Sequence, residues 1–262
     1  MSVSMTVETA AQRARRERNR ALFDSVAALY DATRQRYPRE VVQAMVETAE
    51  LSAGCRVLEV GCGTGQLTGQ LAGRGMSVTA LDIGSEMLAL ARANVPDPDV
   101  GFERVAFEAY ESSRRFDLVV SATAFHWIDP AVAWTKTAAL LRPGGWLALL
   151  TTRERHHEPV RAALSGLWRK HQPGSEEWIA SPPWSESLRA AGVFGEIAVI
   201  HHERPLQVSV ESAIDVECTR ATFLSWTPAT QEAFRRDLSD VLRGATVVEV
   251  VQETDLTMAQ RA

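Results

Sequence analysis

From Arg56 to Thr152 the chain alternates between short apolar runs and stretches of helical period. "RVLEVG", "SVTALDI", "DLVVSAT" and "WLALLTT" are near-continuous apolar runs of strand length. Strands covered by helices on both faces read this way, whereas half-exposed strands alternate apolar and polar positions. Between them, Thr64 to Leu71, Glu86 to Asn94 and Pro130 to Leu141 read as helices, the last ending at "RPGG". Strand and helix in strict turn predict right-handed crossovers and a Rossmann-like α/β sheet.

The flanks are different. Arg13 to about Ala32 reads as a helix with an apolar stripe of Leu22, Val26, Leu29 and Tyr30, and Pro38 opens a second helix to about Glu50. After Thr152 the regularity stops. Arg153 to about Glu186 carries Pro159, Pro173, Gly174, Pro182 and Pro183 with Trp168, Trp178 and Trp184, which suggests a lid or binding loop. "EIAVIHHERP" then reads as a strand, Glu211 to Phe223 and Pro228 to Arg243 as helices, and "TVVEVVQETDL" as a last strand. The expected organisation is 1–50 as helices capping the active site, 51–152 as cofactor-binding core, 153–190 as lid and 191–262 as completion of the same domain.

Composition narrows the picture a little. With 262 residues, 45% hydrophobic and 23% charged, one large α/β domain accounts for the chain. The three cysteines Cys55, Cys62 and Cys218 show no CxxC spacing, so neither a disulfide framework nor a zinc site is expected, and a reducing cytoplasm suits them. No stretch approaches the ~18–20 apolar residues of a membrane span, and no leader-like apolar region opens the chain. We expect a cytoplasmic protein without membrane or nucleic-acid partner, the net charge of −5 opposing a polyanion. "RARRERNR", Arg13 to Arg20, reads as a solvated helix face.

The chemistry is concentrated where the first core strand ends, in "VLEVGCGTGQLTG". A phosphate loop needs GxxxxGK[ST], and no Lys-Ser or Lys-Thr follows. A dinucleotide turn needs GxGxxG, and the position of its third glycine holds Gln66, which speaks against a nicotinamide oxidoreductase. The turn is GxGxG, with Gly61, Gly63 and Gly65 preceded by Glu59. Asp82, at the end of the next strand, is placed to accept hydrogen bonds from ribose hydroxyls. A glycine turn followed by an acid at that place is the pairing a nucleoside cofactor requires.

With these residues the chain resembles the class I S-adenosylmethionine-dependent methyltransferases. "FDSVAALYDATRQRYP", "FDLVVSATAFHWID", "LLRPGGWLALLT" and "VVEVVQETDLTMAQR" are similar to the trans-aconitate methyltransferase-like branch, which acts on small molecules. The resemblance implies a mostly parallel seven-stranded sheet with helices on both faces. It also implies transfer of the methyl group of S-adenosylmethionine to a carboxylate, hydroxyl, amine or acidic carbon, leaving S-adenosylhomocysteine. By the same resemblance Gly61, Gly63, Gly65 and Glu59 surround the methionine and ribose parts of the cofactor and Asp82 holds the ribose. Ile83 and Met87 pack on the adenine, and Phe107 and Glu108 meet its edge. Tyr30, Arg34 and Tyr37 close over the active site. Gly84-Ser85 stands where the family often has Ser-Pro.

His126 and Trp127 follow the fourth strand, where acceptor and sulfonium should meet; His126 is the candidate general base and Trp127 an aromatic wall. Arg34, Arg36, Arg153 and Arg155 are candidates to bind an anionic acceptor. "HHE" occurs at 156–158 and at 201–203, but neighbouring strand residues point to opposite faces, so no metal is expected. "SPPW", Ser181 to Trp184, resembles a nucleobase-stacking motif yet lies beyond the fifth strand, and is expected to be a turn in the lid. Cys62 is expected to serve packing. A non-catalytic protein retaining the cofactor site remains the alternative, and a monomer or homodimer is expected.

Overall fold

The computed structural model describes Ala14, Arg18, residues 21–172 and residues 184–262. A 3-10 turn, Phe23–Val26, leads into α1, Ala27–Thr33, and α2, Arg39–Thr48. The core follows as β1, Arg56–Val60; α3, Thr68–Leu71; β2, Ser77–Asp82; α4, Ser85–Asn94; β3, Val100–Arg104; and β4, Phe116–Ala122. A 3-10 turn, Phe125–Trp127, precedes α5, Pro130–Leu140, and β5, Leu141–His156. The remainder comprises α6, Val160–His171; α7, Trp184–Ala191; β6, Phe194–Ser209; α8, Val210–Cys218; α9, Ala221–Leu224; α10, Pro228–Val241; and β7, Val247–Arg261.

The seven strands form one sheet in the order β3-β2-β1-β4-β5-β7-β6, parallel except where β7 runs antiparallel to both β5 and β6. The continuous apolar runs have the expected cause. Val57, Leu118, Val120 and Ala148 face a core built with α2, while Leu58, Val119, Leu147 and Leu149 face the opposite core. Strand order reverses between β1 and β4, and at such a switch point the strand ends leave a crevice.

Three expectations need correction. The helix expected over Arg13 to Ala32 lies partly outside the described residues, and its described end is broken: Val26 leaves helical geometry (φ −123°, ψ 21°) between the 3-10 turn and α1. The helix expected over Thr64 to Leu71 is a single turn, Thr68–Leu71, because positive φ at Gly63 and Gly65 keeps the chain in a turn. The described part of the Arg153 to Glu186 segment is regular: β5 continues to His156, and α6 follows. Pro159 sits at the start of α6 rather than inside it, and Val160, Leu164, Leu167 and Trp168 form its apolar stripe against α8–α10. Trp178 and Ser181 to Pro183 lie outside the described residues. β3, with its partly exposed "VGFER", carries no apolar run because it is a sheet edge.

The candidate cofactor and acceptor site

A cleft opens at the switch point, with Gly61, Gly63, Asp82, Ile83, Met87, Phe107, Thr123 and Trp127 among its walls. Each glycine of the turn answers a different constraint. A Cβ on Gly61 would stand 2.4 Å from Ala124 Cβ, so the turns after β1 and β4 meet only because that atom is missing. A Cβ on Gly65 would press on Ala91 and Val95 at 3.2–3.4 Å, so this glycine seats the turn against α4 and does not line the cleft. A Cβ on Gly63 would enter open space; there the bare backbone faces the cleft itself.

Asp82 is bound into this turn. Its Oδ2 accepts from Gly63 N at 2.9 Å and its Oδ1 from Gly84 N at 2.9 Å. Burial pushes its pKa up, while the bonds from Gly84, Gly63 and Ile83 hold it back. Each carboxylate oxygen keeps a second lone pair for a hydroxyl in the cleft. Glu59 lies deeper. It is 1% exposed, accepts from Thr68 Oγ1 at 2.6 Å and does not line the cleft. Burial, more than the charge of Asp82, pushes its pKa to about 8 against the bond from Thr68.

The cleft is roofed by the segment before α1. Phe23 meets Tyr30 and Trp127 edge-on, at centroid distances of 6.0 and 5.9 Å, and all three line the cleft with Asp24. Asp24 accepts from the backbone N–H of Ser85, Glu86 and Met87 and from Ser85 Oγ, at 2.8–3.2 Å. It thus caps α4 from sixty residues away, in place of the local cap that Gly84 cannot supply. A Cβ on Gly84 would lie 2.5 Å from Asp24 Oδ1, which accounts for Gly84-Ser85 at this position. Asn94, at the other end of α4, donates to Asp31 of α1 and to the Thr64 carbonyl. Asp24→Ala is expected to lower Tm by ~2–4 °C, the scale of a lost cap in a chain of this size. It should also weaken S-adenosylhomocysteine about tenfold. Thermal melts with and without that ligand check both effects.

Several candidate residues stand apart from the cleft. Glu108 accepts from Asp129 N at 3.0 Å and its carbonyl accepts from Lys136 Nζ, which fixes the start of α5. Arg34 donates from Nε to Thr219 Oγ1 at 3.1 Å and lies over the Tyr30 ring at 5.1 Å, joining α1 to the end of α8. Tyr37 is buried behind the cleft, its hydroxyl 3.4 Å from Thr123 Oγ1, and burial raises its pKa far above the usual tyrosine value. Thr123 itself holds φ 56°, a costly conformation for a β-branched residue, at the point where the chain turns into the cleft.

His126 is exposed, packs against Trp127 at 4.7 Å between centroids, and does not line the cleft. Desolvation pushes its pKa down to about 4, although the residue is exposed. The imidazole is neutral at pH 7. Two of the arginines expected to bind an anion, Arg153 and Arg155, are already engaged in ion pairs. Arg153 pairs with Glu253 (2.5 Å) and Asp255 (3.0 Å), and Arg155 pairs with Glu253 and Glu203. Strand alternation puts both on the face opposite Glu154 and His156. Arg36 offers its carbonyl to Arg204 and Gln252, which pins the 34–37 segment to the sheet.

A profile of the family described as "Methyltransferase domain" matches residues 58–149. The chain is 39% identical over 168 residues to an uncharacterized methyltransferase of Mycobacterium tuberculosis, covering 64% of this chain and 67% of that one. This chain belongs to the methyltransferase family.

A second relative of this methyltransferase is a ubiquinone biosynthesis O-methyltransferase of Paracidovorax citrulli, 36% identical over 119 residues, covering 43% of this chain and 50% of that one. Two solved structures share the fold. A putative type II methyltransferase from Anaeromyxobacter dehalogenans has a TM-score of 0.65 at 20% identity, covering 87% of this chain and 97% of that one. A methyltransferase from Geobacter sulfurreducens, solved with S-adenosylhomocysteine, has a TM-score of 0.53 at 18% identity, covering 89% and 96%. The fold is the class I, Rossmann-like one, and the enzyme is S-adenosylmethionine-dependent. The cleft suits that cofactor: open space before Gly63, a carboxylate anchored at Asp82 and apolar walls from Ile83, Met87 and Phe107.

Gln66, which separates this turn from a dinucleotide one, donates to the Arg34 carbonyl at 3.2 Å, and Gln70 donates to that of Tyr37 at 3.2 Å. Sequence reasoning missed Asp24 altogether. The missing local cap at Gly84-Ser85 was a signal that another residue must supply one.

Proposed function

We propose that this methyltransferase acts on a small-molecule acceptor inside the roofed cleft, as members of the trans-aconitate methyltransferase-like branch do. The observation that carries this reading is the roof: Phe23, Asp24 and Tyr30 cover the switch point, held by the bonds of Asp24 to α4. A cleft roofed in this way suits a cofactor and a small acceptor better than a polymer. That one relative is named an O-methyltransferase of ubiquinone biosynthesis agrees with a small acceptor.

Bound S-adenosylmethionine supplies an electrophilic methyl group on a sulfonium. The chain supplies position and dryness. Asp82 would hold the ribose hydroxyls, with Gly63 leaving room for the backbone's close approach. Ile83, Met87 and Phe107 would pack the adenine. Tyr30 and Trp127 exclude water from the reacting centre, and their ring faces favour positive charge by ~0.5–2 kcal/mol where a ring faces it. Orientation of this kind accounts for much of the rate in a displacement whose leaving group is already charged. The alternation of β5 and the pairing of Arg153 and Arg155 with Glu253 remove two of the anion-binding candidates, which favours a neutral acceptor. We place the enzyme in the cytoplasm.

The test is to incubate the protein with cofactor labelled on the methyl carbon and a panel of carboxylic acids, phenols and amines. Label in a base-stable small product is the expected result. Methanol released by mild base would mean a methyl ester and return weight to the arginines. Label found only in protein or nucleic acid would overturn the small-molecule reading.

A further inference from the structure

We propose that the acceptor presents a pyridine-type ring nitrogen, uncharged and free of any proton, and that the cleft is built to hold the cation this yields. The inference rests on the reading of small-molecule methyl transfer and assigns that acceptor a chemical class.

The charges on the cleft wall have one sign. Asp24 and Asp82 line it, and among the described residues no lysine, arginine or histidine does. The two carboxylates lie close enough for the charge of Asp24 to act on Asp82. Backbone amides offset part of each charge, those of Gly63 and Gly84 at Asp82 and those of the first turn of α4 at Asp24. Arg34, over the Tyr30 ring at 5.1 Å and bonded to Thr219, is not part of the wall. A carboxylate acceptor would enter a cleft of its own sign, whereas a positive charge is favoured there.

The described wall also offers no base. A carboxylate has about four lone-pair sites, and those of Asp24 are taken by the N–H groups of Ser85, Glu86 and Met87 and by Ser85 Oγ. Asp82 gives one site each to Gly63 and Gly84, and on the reading above the rest go to the ribose. The other polar side chains of the wall, Tyr30 and Thr123, carry hydroxyl groups, which are poor proton acceptors. Glu59 and His126 do not line it. An alcohol or phenol must lose a proton as it attacks, and no group of this wall takes that proton. An alkylamine arrives already protonated at pH 7, its lone pair occupied.

A pyridine-type nitrogen avoids both difficulties, since its lone pair is free at pH 7 and carries no proton. That lone pair forms the new N–C bond while the C–S bond breaks, whose electron pair stays on sulfur. Positive charge passes from sulfur to nitrogen, so the balance closes without a proton transfer. An anionic acceptor would cancel the charge; this one keeps it beside two carboxylates. The shape agrees. Phe23, Tyr30 and Trp127 line the cleft with Ile128, and Phe23 meets the other two rings edge-on at 6.0 and 5.9 Å. Flat aromatic frames pack on such walls, and aromatic rings favour a cation that lies over them.

The experiment is calorimetry on the full chain saturated with S-adenosylhomocysteine. N-methylquinolinium, the cation that methylation of quinoline would give, is compared with 1-naphthoate, which has the same bicyclic frame. The cation is expected to bind about tenfold tighter than naphthoate or more. No binding of the cation, or binding no tighter than that of naphthoate, overturns the proposal. Asp24→Asn, which removes one charge, should cut that preference about threefold or more, and an unchanged preference would equally overturn it. With methyl-labelled cofactor, quinoline should take up label in preference to 1-naphthol and 1-naphthoate. Label in either of those instead of quinoline overturns the assignment. S-adenosylhomocysteine titrated alone separates the two readings. Failure of the methyl-transfer reading shows as no binding of that ligand. Failure of this inference shows as normal binding of it without the preference for the cation.

Discussion

Asp82→Ala should weaken S-adenosylhomocysteine by about 100-fold or more in calorimetry. Two charge-assisted hydrogen bonds to ribose hydroxyls are lost, at ~1.5–3 kcal/mol each, and ~2.8 kcal/mol is already a hundredfold. The variant also frees Gly63 N and Gly84 N, which the carboxylate now holds at 2.9 Å. The turn after β1 and the start of α4 would lose their common anchor, so the ligand would meet a looser wall as well as a missing acceptor. Asp82→Asn, which keeps an acceptor for one of those amides, should lie between the wild type and Asp82→Ala. Unchanged affinity in Asp82→Ala would remove the ribose from this end of β2.

Glu59→Gln should stabilise the protein in a pH-dependent way. The carboxyl has its pKa raised from the usual 4.5 to about 8 by burial. A raised acid binds its proton more tightly in the folded chain, so the stability it contributes is fully present below about pH 4.5. That stability erodes as pH rises and is lost through about pH 8, at up to ~1.4 kcal/mol per pH unit. The amide mimics the protonated acid and cannot ionise. The Tm difference in favour of the variant should therefore be small at pH 4.5 and grow to about 5 °C or more by pH 8. Since Glu59 does not line the cleft, cofactor affinity at pH 6 should stay within about twofold. Melting curves across that range, with calorimetry at pH 6, check both parts. A flat Tm difference with lost cofactor binding would instead place Glu59 against the ligand.

The legible parts of this chain were those encoded locally. The apolar runs of β1, β2, β4 and β5 follow from burial on both faces, and the GxGxG turn with Asp82 follows from spacing. What escaped was non-local. Asp24 caps a helix sixty residues on, and no window of sequence shows which carboxylate reaches which helix end. α6 was hidden because Pro159, Pro173 and the tryptophans drew attention from the spacing of Val160, Leu164, Leu167 and Trp168. His126 was chosen for its place after β4, but a 3-10 turn, Phe125–Trp127, leaves its ring exposed and brings Trp127 to the cleft wall. The "HHE" at 156–158 cannot chelate one ion, because strand alternation parts its neighbouring side chains. The same alternation is what isolates His156 on the buried face.

The cap supplied by Asp24 also ties the cleft wall to a helix end. One carboxylate serves the amides of Ser85, Glu86 and Met87, and Met87 is itself part of the cleft wall. The edge beside Asp24 cannot swing open without stripping α4 of its first-turn partners. If spent cofactor left through that edge, its exit would be coupled to fraying of a helix end, and the free energy of one cap would enter the barrier to release.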